Sequence, residues 1–171
     1  MRLTTYSDYA LRCLIYLAVQ EQSDKLVNIQ DIADSYQISK NHLTKIVHQL
    51  ATLGYIESVR GRNGGIRLAK KPKSINLGQV VRQTEADFSI VTCFEQIDRE
   101  VFTKPSTSKK FPIAATTINQ AINQCKIAPT CKLKSIFFEA TQSFLRVLDQ
   151  YTLYDITDNQ QQLQKLFGLS V

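Results

Sequence analysis

The chain has 171 residues, of which 43% are apolar and 21% charged, so it is long enough to bury one or two hydrophobic cores. No apolar run reaches the length of a membrane span. The apolar segment at the N-terminus is interrupted by Asp8 and Arg12, which is atypical of a secretory leader. We therefore expect a cytoplasmic protein, in which disulfides rarely persist.

The net charge of +6 is concentrated between residues 40 and 82. This segment carries nine Lys and Arg residues against a single acidic residue, Glu57. Evenly spread charge would only promote solubility, whereas a concentrated basic segment favours a polyanionic partner. Nucleic acid is therefore the first candidate.

The first predicted helix is amphipathic, with apolar residues at helical spacing from Tyr6 to about Gln20. Ser7 is the expected N-cap of this helix. Cys13 lies within the apolar pattern, and we interpret it as a small core residue.

Two further helices are predicted next, with a short turn between them. Asn28 is expected to cap a helix over residues 29–36, and Ser39 a helix over residues 40–53. Gly54 then stands where a left-handed residue commonly ends a helix. Two capped helices joined by a short turn indicate a helix-turn-helix motif.

A β-hairpin is predicted after these helices. YIESVR and IRLAK both alternate like strands, and GRNGG between them is typical of a turn. A helix-turn-helix followed by a basic hairpin is the plan of a winged helix. A further short helix is expected from Asn76 to Arg82.

The second half of the chain ends in a long predicted helix that starts at Leu133. One line of apolar side chains follows near-heptad spacing: Leu133, Phe137, Ala140, Phe144, Leu148 and Tyr151. Because Ile136, Phe138, Leu145 and Val147 lie off this line, we interpret it as a dimerisation helix. A core helix within one subunit remains the alternative, and the polar tail over residues 157–167 is expected to fray.

Two groups of polar residues could contact DNA. Those of the third helix point away from its apolar stripe: Lys40, Asn41, His42, Thr44, Lys45 and His48. Such side chains hydrogen-bond base edges or phosphates, although any surface helix has a solvated face. The hairpin shifts the balance towards DNA, because its glycines let the backbone approach a phosphate strand and it carries Arg60, Arg62 and Arg67.

Three segments together resemble one family: MRLTTYSDYALRCLIYLA, NHLTKIVHQLATLGYIESVRGRNGGIRLAK and QCKIAPTCKLK. They are similar to the winged-helix iron–sulfur regulators of the IscR/NsrR family, most of all to its nitric-oxide-sensing NsrR branch. The resemblance covers residues 1–93 and 124–156. It implies that the major groove is faced by Ser39, Asn41, His42, Thr44 and Lys45, and that the minor-groove wing is formed by Arg60, Gly61, Arg62 and Asn63.

The same resemblance implies that Cys93, Cys125 and Cys131 hold an iron–sulfur cluster, [2Fe-2S] or [4Fe-4S]. Asp8 from the other subunit would be its fourth ligand, since Lys134 stands where IscR-like members carry a histidine. The residues alone leave a zinc ion or a redox disulfide open, with the lysines beside the two later thiols favouring their thiolate forms.

One departure from the family is that 31 residues separate Cys93 from Cys125, where the family has only a few. The longer loop costs roughly 1.6 kcal/mol of additional closure entropy. Structural metal sites can contribute on the order of 10 kcal/mol. The insertion, at about residues 94–123, therefore does not exclude a cluster.

The sequence thus predicts a mainly α protein with a small β-hairpin: a winged helix-turn-helix domain (1–86), a cluster-binding loop (87–131) and a dimerisation helix with a tail (132–171). We expect a homodimeric repressor of a palindromic operator in double-stranded DNA, controlled by the cluster, with nitric oxide as the signal. A repressor with a thiol-redox or zinc switch, responding to iron–sulfur status or oxidative stress, is one alternative, and an iron–sulfur electron carrier is another. With no Ser/His/Asp set and no phosphate loop, an enzyme is not predicted.

Overall fold

The computed structural model describes residues 2–20, 26–91, 102, 125–127 and 130–169. Its first seven elements follow the predicted order, and a last helix that was not predicted comes after them: α1 (Thr5–Val19), α2 (Ile29–Tyr36), α3 (Lys40–Thr52), β1 (Ile56–Val59), β2 (Gly65–Leu68), α4 (Leu77–Thr84), α5 (Leu133–Leu148) and the additional α6 (Gln160–Leu166). A 3₁₀ turn over Pro72–Ser74 joins the hairpin to α4. None of these helices is long and apolar enough to cross a membrane in the part of the chain that the structure describes.

The helix ends mostly agree with their sequence signals. Asn28 caps α2 as predicted, and Gly54 has a φ of +73° directly after α3. Ser39 is the N-cap residue of α3, but its side chain makes no capping hydrogen bond. The expectation for Ser7 is wrong, because the hydroxyl of Thr4 accepts from the Ser7 backbone N–H and starts α1 one turn earlier.

The first hydrophobic core lies between α1, α2, α3 and the hairpin. The strands pair antiparallel with Glu57 opposite Arg67, and Val27 adds a short bridge to Ile66. A Cβ on Gly65 would lie 2.7 Å from the carbonyl oxygen of Val27, so only glycine allows this approach. The hairpin is thereby attached to the segment before α2.

A second core joins α4 to α5. It contains Val81 and Phe88 from the winged-helix side, and Phe138 and Leu145 from α5. Phe102 packs between them, with its ring centroid 5.5 Å from that of Phe88. This core decides which face of α5 is buried.

The predicted seam of α5 needs a correction. Phe137, Phe144 and Leu148 pack against the second core of the same chain. The exposed apolar stripe, which we call the α5 stripe, is rotated from that seam and consists of Leu133, Ile136, Ala140 and Val147. The spacing of apolar residues could not predict which face of α5 is exposed, because the burial of Phe138 and Leu145 in the second core fixes the rotation of the helix about its axis.

The junction between α4 and the end of α5 is polar and tight. The buried guanidinium of Arg82 donates twice to Asp149, with Nη2 lying 2.7 Å from Oδ2. The amide of Asn76 donates to the Asp149 carbonyl at 2.7 Å. Gly78 leaves no room for a Cβ against Asp149, which brings the two helices into close contact.

The tail does not fray as expected. The side-chain amides of Gln160 and Gln164 both donate to the Val19 carbonyl, at 2.9 and 3.1 Å. Val19 is the last residue of α1, where carbonyls lack intrahelical partners. The tail is polar because two of its glutamines donate hydrogen bonds to a carbonyl at the C-terminal end of α1. The expectation of fraying, which was based on that polar composition, is therefore wrong.

Candidate functional site

The outer face of α3 presents the polar residues that the sequence singled out. Its apolar stripe is buried, whereas the side chains in its first turns are exposed: Ser39, Lys40, Asn41, Thr44 and Lys45. Within the described residues neither lysine forms an ion pair. This face therefore offers exposed hydrogen-bonding groups and positive charge, although the Thr44 hydroxyl already donates to the Lys40 carbonyl at 2.9 Å.

His42 has a different environment from its neighbours on α3. It is half-buried, with its ring centroid 5.4 Å from that of Tyr9 and 6.3 Å from that of Tyr6. Tyr6 also donates its hydroxyl to the Lys45 carbonyl at 3.3 Å. The N-terminal half of α1 thus contacts the candidate recognition helix directly, and His42 is less accessible than Asn41.

The tip of the hairpin is an exposed basic turn. Arg60, Gly61, Arg62 and Asn63 are all exposed. Gly61 has a φ of +124°, which only glycine adopts without strain. Arg67 lies lower on β2 and forms an ion pair with Glu57 at 2.9 Å, so its charge is partly neutralised.

The thiols fall into two groups. Cys125 is exposed and Cys131 is half-buried just before α5, and both are free. Cys93 lies outside the described residues, so the predicted set of three remains a prediction. Cys13 is fully buried, which raises the pKa of its thiol to about 12 and confirms that it is a core residue.

Asp8 stands on the first turn of α1, with a side chain that is 45% exposed. Its Oδ2 accepts from Nε of Arg12 at 2.9 Å, which raises the pKa of the arginine, and Arg12 lies 5.6 Å from the ring centroid of Tyr36. Oδ1 of Asp8 makes no hydrogen bond within the described residues.

Asp8 is part of α1, the helix that contacts α3. The described residues do not by themselves form a metal site. No three His, Cys, Asp or Glu side chains converge among them. Two free, accessible thiols and a carboxylate with an open oxygen are nevertheless donors that suit an iron–sulfur group.

Sequence reasoning missed Glu85, a carboxylate that is only 3% exposed. Its Oε1 accepts from the backbone N–H of Thr4 at 2.7 Å and from the Thr4 hydroxyl at 3.2 Å. It therefore ties the start of α1 to the end of α4. No sequence pattern indicates this contact, because 81 residues separate the partners.

The helix-turn-helix of α2 and α3, the exposed polar face of α3 and the basic hairpin tip have the arrangement of a winged-helix DNA-binding protein. The chain belongs to the Rrf2 family, whose model, described as an iron-dependent transcriptional regulator, matches residues 3–159. A transcriptional regulator of this family binds DNA. The prediction that the partner is DNA is therefore confirmed, at the level of the family.

Curated relatives cover nearly the whole chain. The transcriptional regulator NsrR of Bacillus licheniformis is 48% identical over 168 residues, which span 98% of this chain and all of that protein. NsrR of Bacillus subtilis is 45% identical over 169 residues, or 99% of each chain. Both are named as transcriptional regulators, which confirms that this chain is not an enzyme.

Solved structures show the same fold. IscR of T. potens aligns with a TM-score of 0.63 at 22% identity, covering 96% of this chain and 91% of that one. CymR, the global cysteine regulator of B. subtilis, aligns with a TM-score of 0.61 at 21% identity, covering 93% and 98%. The predicted fold class is therefore confirmed.

Proposed function

We propose that this protein is a homodimeric repressor whose affinity for a palindromic operator depends on an iron–sulfur cluster and is lost on exposure to nitric oxide. The observation that carries the proposal is the position of Asp8. This candidate ligand lies on α1, between Tyr6 and Tyr9, and these two tyrosines contact the candidate recognition helix. A change in what Asp8 binds would therefore act on α1, which contacts the candidate recognition helix directly.

The α5 stripe supports a dimer. Ile136 and Val147 are 60% and 54% exposed, on a helix whose opposite face is already buried in the second core. Apolar side chains in such a row gain free energy when a second copy covers them. Ala140, in the middle of the stripe, allows two helices to approach closely.

A dimer of this kind presents two copies of α3. Two recognition helices read consecutive major grooves only when they are about one helical turn apart, roughly 34 Å. The exposed residues of α3 would face the bases and phosphates there, and the tip of the hairpin from Arg60 to Asn63 would lie in the adjacent minor groove. A palindromic operator matches this two-fold symmetry.

The cluster ligands that we propose are Cys93, Cys125 and Cys131, with Asp8 of the partner subunit. Lys126 and Lys132 directly follow the two later cysteines in the sequence. When bound, the cluster supplies a centre that reacts with nitric oxide. The Asp8 carboxylate would be a hard ligand on a soft group, so its bond to the cluster would be the weakest that the protein makes.

The residues of α1 connect that bond to DNA. With Oδ2 held by Arg12, Oδ1 of Asp8 is available to a metal. Release of Asp8 would remove one restraint on the N-terminal half of α1, which is also held by Glu85 at Thr4, by the contacts of Tyr6 and Tyr9 with α3, and by its buried residues Ser7 and Ala10. A shift of α1 would then move α3 and change the distance between the two recognition helices.

A thiol-redox switch is the second candidate, because Cys125 and Cys131 are free, accessible and close in sequence. Both candidates place the regulator in the cytoplasm, with its DNA. They differ in the inorganic group: a disulfide switch needs no iron.

The deciding experiment purifies the full chain without oxygen, and measures visible absorption, iron content and operator affinity before and after titration with nitric oxide. We expect iron-dependent absorption, tight binding of the operator, and loss of both on titration. Asp8→Ala should weaken the response, whereas the matched control Asp31→Ala, an exposed first-turn acid of α2, should not. Equal operator affinity with and without the cluster would refute cluster control, and an iron-free protein that responds to oxidants would favour the thiol switch.

A further inference from the structure

Three aromatic rings meet at the C-terminal half of α1. Tyr16 of α1, Tyr36 of α2 and Phe167, which directly follows α6, form what we call the aromatic cluster. The ring centroids are 6.4 Å apart for Tyr16 and Tyr36, 5.0 Å for Tyr16 and Phe167, and 5.4 Å for Tyr36 and Phe167. Each ring contacts both others, so the position of the Tyr36 ring depends on the C-terminal segment.

Arg12 connects this cluster to Asp8. Its guanidinium carbon lies 5.6 Å from the Tyr36 ring centroid, within the range of a cation–π contact. The same guanidinium donates through Nε to Oδ2 of Asp8 at 2.9 Å. The ring and the carboxylate therefore hold one arginine between them.

Phe167 is held in place by a docked helix. Gln160 and Gln164 donate to the Val19 carbonyl, and Leu169 packs against the first core beyond Phe167. By contrast, the adjacent Leu166 is 81% exposed. The segment thus directs one of two neighbouring apolar side chains onto Tyr36 and leaves the other in solvent.

The ring contact matters because the ion pair alone is weak. Asp8 and Arg12 are 45% and 44% exposed, and exposed pairs four residues apart on a helix contribute little. An arginine without further contacts keeps most of its rotamer freedom. Stacking on a fixed ring restricts that freedom and aligns Nε with the carboxylate.

We infer that Tyr36 and Phe167 are positioning residues for Asp8: they seat Arg12, which holds Oδ2 of Asp8 and leaves Oδ1 oriented for a metal. The inference rests on the proposed function, in which Asp8 is the labile ligand. Hydrogen-bond partners of ligating carboxylates orient them and strengthen metal binding. The C-terminal helix would therefore set how firmly the regulator keeps its cluster.

The first test uses the metal-free full chain and needs no cluster. Solvent exchange of the Arg12 Nε–H is measured by NMR, with the signal assigned by its loss in Arg12→Lys. Tyr36→Leu and Phe167→Ala should accelerate exchange about two- to fivefold, the effect expected for losing a cation–π contact at an exposed site. Tyr36→Phe, which keeps the ring, and Leu166→Ala should retain wild-type protection.

The second test uses reconstituted protein and follows the decay of visible absorption under an iron chelator. Tyr36→Leu and Phe167→Ala should shorten the lifetime about two- to fivefold, and Tyr36→Phe should restore it. If the exchange rate of the Arg12 Nε–H is unchanged in both variants, Tyr36 and Phe167 do not hold Arg12 in place. If that exchange is faster but the lifetime of the cluster absorption is unchanged, they do not position Asp8. If Tyr36→Leu does not fold, Phe167→Ala decides. A wild-type chain that takes up no cluster would refute the proposed function, while the NMR arm would still decide the seat.

Discussion

Two exposed surfaces of this protein differ in the partner that they can bind. The outer face of α3 and the hairpin tip carry exposed amides, hydroxyls and positively charged side chains. The α5 stripe carries aliphatic side chains. Polar groups stay hydrated until they exchange water for phosphates and base edges, whereas an aliphatic row gains by leaving water altogether. We therefore propose DNA as the partner of the first surface and another copy of the protein as the partner of the second.

The junction between these two regions should show the largest effect. Asp149→Ala removes the carboxylate that accepts two hydrogen bonds from Arg82, whose side chain is only 3% exposed, and so breaks a buried ion pair. We expect a loss of about 3–5 kcal/mol in the free energy of unfolding, measured by denaturant titration. Asp155→Ala, at an exposed carboxylate of the following turn, is the control; an equal loss there would show that the buried pair is not special.

A charge within the α5 stripe should separate the subunits. Ile136→Glu places a carboxylate within the proposed dimer contact, and sedimentation should show a monomer. Because two linked recognition helices bind with avidity, operator affinity should fall by about 100-fold or more. Ser135→Glu adds the same charge on another side of α5 and should leave the dimer intact. A dimeric Ile136→Glu protein would contradict the assigned interface.

A change on the polar surface should have a smaller, sequence-dependent effect. Asn41→Ala should cost about 1–3 kcal/mol of operator affinity per lost base contact and relax the specificity. Lys45→Ala should instead weaken binding to all duplexes and lower the salt dependence. Fluorescence anisotropy on operator and scrambled duplexes distinguishes the two; equal losses on both duplexes would make Asn41 a phosphate contact.

The smallest expected effect is the contribution of the buried Cys13 thiol to the pH dependence of the free energy of unfolding. Folding raises the pKa of Cys13 to about 12, so the unfolded chain loses its thiol proton first as the solution becomes alkaline. The free energy of unfolding should therefore fall by about 1 kcal/mol between about pH 8.5 and 9.5. Cys13→Ala should flatten this slope, whereas Cys125→Ser should leave it unchanged. A slope that persists in Cys13→Ala would assign it to other groups.

The two regions also differ in how far sequence reasoning reached. In the winged helix, Asn28 and Gly54 have local roles that depend on neighbouring residues, and both were predicted. Their signals lie within one helical turn. The residues that place Asp8 are of another kind, because Glu85 and Tyr36 act on α1 from distant parts of the chain.

The C-terminal half shows the same limit. Its helix from Leu133 was predicted from spacing, but its rotation was not, since Phe138 entered a core that includes Phe88 and Phe102. The tail was misjudged for a related reason. Gln160 and Gln164 are polar in composition, and only their contact with Val19 reveals a structural role.

The sequence by itself determined the order of the elements, the concentration of positive charge and the residue types on offer to DNA and metal. These depend on periodicity, caps and turns, which act over a few residues. Tertiary structure alone decided which face of α5 is exposed, that α1 contacts the recognition helix, and that the end of the chain contacts Tyr36. Packing decides such matters, because a side chain's partner is whichever group the folded chain brings within reach.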